Sequence, residues 1–303
     1  MVWRRKRTTT TTTTTTVPAV TVPAAGRRGD LMGISAGPYA TTAVLDGILT
    51  LGLRWVRVSH EAGWLTGPGS LDALQVTVTE AHARGLKVLQ CVQLSGHTYT
   101  ADDARTLADF AVRCASTGID ALEIFNEANN PPFWQPQAFP PVLCAQLTAT
   151  IGAQVRSLFP TLPIITNGLS PAAQPYTANT WWPAFWDAYP AGHTAGGYTA
   201  AGLHPYVYPE DPCTMMDHPE WNPWACVDSI RTSMLVRGVN QQVWFTEVGC
   251  PGFASGAPVV RGVTLDEYRQ QLVTEQYLKQ WVTLGKAGEP LFIATLQDGM
   301  SQT

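Results

Sequence analysis

The chain carries little charge for its length, no long apolar run and no metal-type cysteine spacing, and each lack excludes something. Only 14% of its 303 residues are charged against 45% hydrophobic, enough apolar side chain to bury a substantial core and too much for wholesale disorder. No stretch of about 18 apolar residues exists, so no segment should cross a bilayer as a helix. Six cysteines are too few for a disulfide scaffold in a chain this long. No Cys-x-x-Cys pair gives a zinc-like spacing, so neither a metal nor an organic cofactor is expected. Basic residues are scarce in the body. Six of the 19 (Arg4, Arg5, Lys6, Arg7, Arg27 and Arg28) precede the first acidic residue, Asp30, leaving 13 against 23 carboxylates. An acidic body does not attract polyphosphate, which argues against nucleic acid as a partner and for a neutral one.

The N-terminus has the basic region of a secretory signal, but nine threonines at 8–16 occupy the place of the apolar segment such a signal needs. Residues 1–29 read as a basic, Thr-rich leader or tether with no means of packing, and residues 30–303 as one folded unit. Cys213 and Cys226 flank a Pro- and Trp-rich stretch, where a bridge would pin a long loop if the compartment is oxidising; spacing alone leaves that open. Cys91, Cys114 and Cys144 fall in periodic apolar segments and read as small buried hydrophobes.

From residue 31 onward, short apolar or β-branched runs alternate with segments of helical periodicity, separated by Gly, Pro and Asn. Strands are predicted at 31–35, 55–59, 87–93, 121–126, 163–167, 202–206, 243–247 and 291–295. Helices are predicted at 41–51, 70–84, 101–116, 141–158, 179–188, 227–238 and 265–284. Helix-ending glycines stand where expected, at Gly85, Gly118 and Gly238. Eight βα units closing on themselves make an α/β fold, the (β/α)8 TIM barrel. Too few residues follow the eighth strand for the closing outer helix, so the fold is expected to lack it. Either the leader, a loop, self-association or another subunit would then cover the seam, or the chain is an incomplete copy of a longer protein.

Chemistry in a TIM barrel sits at the C-terminal ends of the strands. The fourth strand ends Phe125-Asn126-Glu127-Ala128-Asn129-Asn130 and the seventh Phe245-Thr246-Glu247-Val248-Gly249, placing a carboxylate at matching points on opposite sides of the mouth. Each alone reads as an ordinary solvated loop residue. As a pair they supply what glycoside cleavage needs, a protonated carboxyl to release the leaving oxygen and an ionised one to attack or shield the anomeric carbon.

Asn126-Glu127 and Glu247 so placed resemble the signature of clan A glycoside hydrolases, over approximately residues 31–298. The resemblance implies retaining hydrolysis through a covalent glycosyl-enzyme, with Glu127 as acid/base and Glu247 as nucleophile. Arg57 resembles the strand-two arginine that keeps the nucleophile ionised in families 5 and 39 of that clan. His204-Pro205-Tyr206 resembles their His-x-Tyr, in which His contacts substrate and Tyr holds the nucleophile. Asn126 would bond the sugar 2-hydroxyl. The tryptophan that closes strand eight in family 5 is absent, Ala294-Thr295-Leu296-Gln297-Asp298 standing there, which makes family 39 the nearer cousin.

Eleven tryptophans suit a carbohydrate partner, whose C–H faces stack on indole. Trp64, Trp134, Trp181, Trp182, Trp221 and Trp224 fall in or beside loops after strands, with Trp134 and Trp182 expected to touch substrate. Trp55, Trp244 and Trp281 read as core. The expectation is a secreted or surface-exposed glycosidase acting on a polysaccharide or oligosaccharide. The competing reading is a non-catalytic glycan-binding or structural surface module, for instance on a virion. A metal hydrolase is disfavoured, since the strand ends offer no convergent set of His and carboxylate ligands.

Overall fold

The structure, a computed structural model, describes residues 29–294 apart from 38–39, 62–69, 94–99, 131–138, 171–176, 190–197, 207–222, 251, 253–255, 258, 261 and 284–288. The Thr-rich segment, Trp64, Trp134, Trp221 and Cys213 lie outside the described residues.

Eight parallel strands close into a barrel. They are β1 (Met32–Ser35), β2 (Trp55–Glu61), β3 (Lys87–Gln93), β4 (Ala121–Asn126), β5 (Ile164–Gly168), β6 (Ala200–Leu203), β7 (Gln242–Val248) and β10 (Leu291–Ala294). A two-residue ribbon pair, β8 (Val259–Val260) and β9 (Val263–Thr264), stands apart between β7 and the last helix. The helices among the described residues number seven: α1 (Thr42–Thr50), α2 (Ser70–Ala83), α3 (Asp103–Ser116), α4 (Pro141–Leu158), α5 (Ala178–Ala188), α6 (Pro223–Leu235) and α7 (Glu267–Thr283). This is a (β/α)8 TIM barrel with seven outer helices among the described residues. β10 pairs directly with β1 from Met32 opposite Leu291 to Ser35 opposite Ala294. On the outer face of that seam Ile34 and Leu291 are buried, and Met32 and Ile293 half-buried.

Local sequence explains the elements. In α3, Leu107, Phe110, Ala111 and Cys114 recur three and four residues apart and are all buried, the spacing that lays one apolar stripe against the sheet. After α2 and α3 the chain reverses through Gly85 (φ 70°) and Gly118 (φ 89°), a backbone region that costs glycine nothing. β6 ends at Leu203, earlier than predicted, because Pro205 has no N–H with which to extend the ladder.

Trp55, Leu89, Ala121, Ile165, Ala200, Trp244 and Phe292 form a separate apolar cluster inside the barrel. Trp55 meets Trp244 edge-on at 5.7 Å and Phe292 at 6.0 Å. Each large side chain buried in this layer contributes roughly 1.5–3 kcal/mol, a floor that offsets the charged layer above it. Two residues further along the same strands, on the same face, stand Arg57, Cys91, Glu123 and Thr246, all buried.

Candidate active site

On β4, strict alternation would turn Glu123 and Phe125 inward. Instead Glu123 and Asn126, three residues apart, both bond Arg57, while the Phe125 ring packs edge-on against Phe139 at 5.1 Å. The cause is the backbone at Phe125, with φ 70°, followed by φ 44° at Glu127. Left-handed backbone at a bulky residue costs of order 1–3 kcal/mol, and here it shifts the parity so that Asn126 and Glu127 face the mouth. Glu127 is then fixed on both sides. Its N–H donates to the Gly168 carbonyl at 2.8 Å, and Asn130 Nδ2 donates to its Oε2 at 2.8 Å.

β7 breaks alternation as well. Thr246 and Glu247 are neighbours, yet both reach the interior: Thr246 donates to Glu123 Oε1 at 2.7 Å and Glu247 accepts from Arg57. The register against β10 slips here. Phe245 lies opposite Leu291 and Val248 opposite Ile293, one extra residue on β7. Such a bulge re-aims a side chain next to a site.

Arg57, 1% exposed, ties the two halves together. Its Nε donates to Glu123 Oε2 at 2.7 Å, NH1 to Ser35 Oγ at 3.1 Å and to Glu247 Oε1 at 2.5 Å, and NH2 to Asn126 Oδ1 at 2.9 Å. Burial would lower its pKa, but the carboxylates of Glu123 and Glu247 outweigh that and raise it, so the guanidinium stays charged. Because Arg57 only donates, Asn126 must turn its Oδ1 toward it and present Nδ2 as a donor.

Glu247 accepts a second hydrogen bond from the Tyr206 hydroxyl at 2.8 Å. Burial pushes its carboxyl up, but the charges of His204 and Arg57 and the hydrogen bonds from Tyr206 and Arg57 prevail and hold it below the ordinary carboxylate value. His204, fully buried, stands between the strand-end carboxylates. Its Nδ1 lies 3.2 Å from Glu127 Oε1 and 3.7 Å from Glu247 Oε2, and its Nε2 lies 3.1 Å from Thr246 Oγ1. Gly168 makes room for the imidazole, since a Cβ there would fall 2.1 Å from His204 Nε2 and 2.7 Å from Thr246 Oγ1. Gly168→Ala should therefore destabilise the fold by ~1–3 kcal/mol, as overpacking does. Urea unfolding checks this; an unchanged midpoint would show that the ring has room to move.

The barrel thus brings together six side chains singled out from sequence: Arg57, Asn126, Glu127, His204, Tyr206 and Glu247. Trp182 corrects the reading. It is fully buried in α5, stacked on Trp186 at 4.4 Å and edge-on to Trp181 at 5.3 Å, because positions four apart on a helix share a face and this face packs inward. Trp181 is buried beside it, and Trp224 is buried in α6 against Phe245 and Tyr277. Neither lines the mouth. Cys91, Cys114 and Cys144 are buried as expected. Cys226 is buried as a free thiol, its pKa pushed up by burial to about 12. Glu123, Thr246, Ser35 and Asn130 were not singled out from sequence. The available signal was parity, since Glu123 and Thr246 follow Ala121 and Trp244 by two. Among the described residues no group of three or more His, Cys, Asp or Glu could hold a metal ion, and no helix is long and apolar enough to cross a membrane.

No protein-family model matches the sequence, and no curated protein does. Solved structures match its fold. A fungal β-1,4-galactanase structure is 15% identical, covers 87% of this chain with 88% of its own, and superposes with a TM-score of 0.58. β-Glycosidase BGL167 is 13% identical over 88% of this chain and 86% of its own, TM-score 0.60. The catalytic domain of Thermobifida fusca endoglucanase Cel5A, solved with cellotetraose, is 17% identical over 89% and 79%, TM-score 0.51. These neighbours are clan A glycoside hydrolases on the same eight-stranded barrel. The family 5 side of the resemblance fits them; the family 39 side is not confirmed.

Proposed function

We propose that the protein is a retaining glycoside hydrolase that cleaves O-glycosidic bonds of a polysaccharide or oligosaccharide by double displacement. One observation carries the reading: Glu127 and Glu247, 120 residues apart in sequence, flank one imidazole nitrogen. The two contacts together bound the gap between those oxygens near the lower end of the ~6.5–9.5 Å span of single-displacement enzymes, which leaves room for the ~5–5.5 Å of double displacement. The electrostatics support the division of labour. Glu247, held ionised by Arg57 and Tyr206, attacks the anomeric carbon, and Glu127 protonates the departing oxygen. In the second step Glu127 takes a proton from water, whose oxygen displaces the Glu247 ester. Asn126 Nδ2 is placed to donate to the sugar 2-hydroxyl, a contact that strengthens as charge develops at the adjacent carbon. A polymeric carbohydrate substrate implies action outside the cell or on its surface.

A panel of aryl glycosides followed by mass spectrometry with the matching 2-fluoro glycoside tests this. Turnover with retained anomeric configuration and a covalent sugar on Glu247 is expected. Inverted product, a label elsewhere, or binding without cleavage would overturn it, the last favouring a glycan-binding module.

A further inference from the structure

Resting on the glycosidase reading, a second layer of function can be derived from the hydrogen bonds behind His204. The Thr246 hydroxyl has one proton, and it goes to Glu123 Oε1 at 2.7 Å, because an ion-paired carboxylate only accepts. Toward His204 Nε2, 3.1 Å away, Thr246 Oγ1 therefore offers a lone pair. That contact is a hydrogen bond only if Nε2 carries a proton. The other ring nitrogen, Nδ1, then faces Glu127 Oε1 at 3.2 Å, and a single further proton satisfies both atoms.

We propose that Glu123 and Thr246 are positioning residues that lock His204 with its proton on Nε2, so that Nδ1 and Glu127 share one proton and act together as the acid of the first step. The shared proton lies between Nδ1 and Glu127 Oε1, 3.2 Å apart, and leaves with the aglycone through Oε1. The bare Nδ1 and the new Glu127 carboxylate then face each other, two acceptors with nothing between them. That repulsion drives Glu127 to take the proton of the attacking water, which restores the starting state with every proton accounted for. The charged and titratable groups around His204 agree with this. Glu127 follows β4, Glu247 lies on β7, Tyr206 follows β6, and Arg57 on β2, Glu123 on β4 and Cys91 on β3 form the layer beneath. Burial disfavours a charged imidazole, but Glu247 and Glu127 together raise its proton affinity.

Long-range proton–nitrogen NMR of 15N-histidine protein, with the His204 signals assigned by their loss in His204→Gln, reads the tautomer without any turnover. Wild type should show a protonated Nε2, Thr246→Val should shift toward the other tautomer, and Thr246→Ser should restore the wild-type pattern. A protonated Nδ1 with a bare Nε2 in the wild type, or a Thr246→Val spectrum identical to it, would overturn the proposal. Kinetics supply a second readout. Thr246→Val should lose about tenfold or more in kcat on phenyl glycosides, a fraction of the ~10²–10⁴ that acid–base catalysis supplies. It should lose much less on dinitrophenyl glycosides, whose leaving group needs no proton. Equal losses on both would reduce Thr246 to a structural role. If wild type cleaves nothing while the tautomer follows Thr246, the glycosidase reading falls and the lock stands; cleavage with an unresponsive tautomer means the reverse.

Discussion

Glu247→Ala should leave a folded barrel that turns over aryl glycosides about 10⁴-fold more slowly or worse, as loss of a covalent nucleophile does. The fold should survive because Arg57 keeps Glu123, Asn126 and Ser35, and the Glu247 side chain is the most open of the set at 20% exposure. What disappears is the carboxylate that Arg57 and Tyr206 jointly hold ionised. Added azide should enter the vacated space and restore turnover, yielding a glycosyl azide of inverted configuration, because the small anion attacks from the side where Glu247 stood. Glu127→Ala should behave differently, its loss growing as the leaving group worsens. The pH dependence of stability has a definite sign. Glu247 is held below the ordinary carboxylate value, so its ionised form stabilises the fold above its unfolded pKa, and that contribution fades as pH falls through the folded one. Wild type should thus exceed Glu247→Ala in stability most at neutral pH, with the gap closing in acid. Wild-type turnover rates in the variant, or azide without effect, would remove Glu247 from the chemistry.

The barrel and the strand-end carboxylates were legible because both follow from periodicity. Period-two and period-3.6 runs alternate, glycine ends the helices, and in this fold polar residues at strand ends collect in one mouth. The layer beneath was not legible, because two departures from periodicity build it. The left-handed backbone at Phe125 has no signal in a phenylalanine, and the β7 bulge appears only once β7 is set against β10. With alternation unbroken, Asn126 and Glu247 would each point away from Arg57. Glu123 was hidden for the opposite reason: it obeys alternation, and a lone Glu inside Ala121-Leu122-Glu123-Ile124 looks like an intrusion until an arginine is found across the lumen. The Trp182 error came from setting loop position above helical spacing. Trp182 and Trp186 lie four apart inside a segment already predicted helical, and that stripe is core.

The largest expected effect on stability comes from Arg57→Met. The side chain is fully buried and gives four hydrogen bonds, two to carboxylates. Removing it strands Glu123, itself 0% exposed, with only Thr246 donating to it among the bonds described. Breaking a buried pair from one side costs ~3–5 kcal/mol, against a total of roughly 5–15 kcal/mol for a domain, so this variant should be barely folded and inactive. Arg57→Lys keeps the charge but cannot fan four bonds across Ser35, Glu123, Asn126 and Glu247, and should fall between. The double variant Arg57→Met with Glu123→Gln separates the two roles. Neutralising the stranded carboxylate should recover part of the stability, with a coupling of ~0.5–3 kcal/mol in a double-mutant cycle, while activity stays absent because Glu247 has lost the guanidinium that holds it ionised and in place, its hydrogen bond from Tyr206 alone remaining. Stability returning without activity would locate Arg57's functional work at Glu247 and its structural work at Glu123. Additive single effects would show instead that the two residues are not coupled, and the buried layer would then be no more than a set of independent contacts.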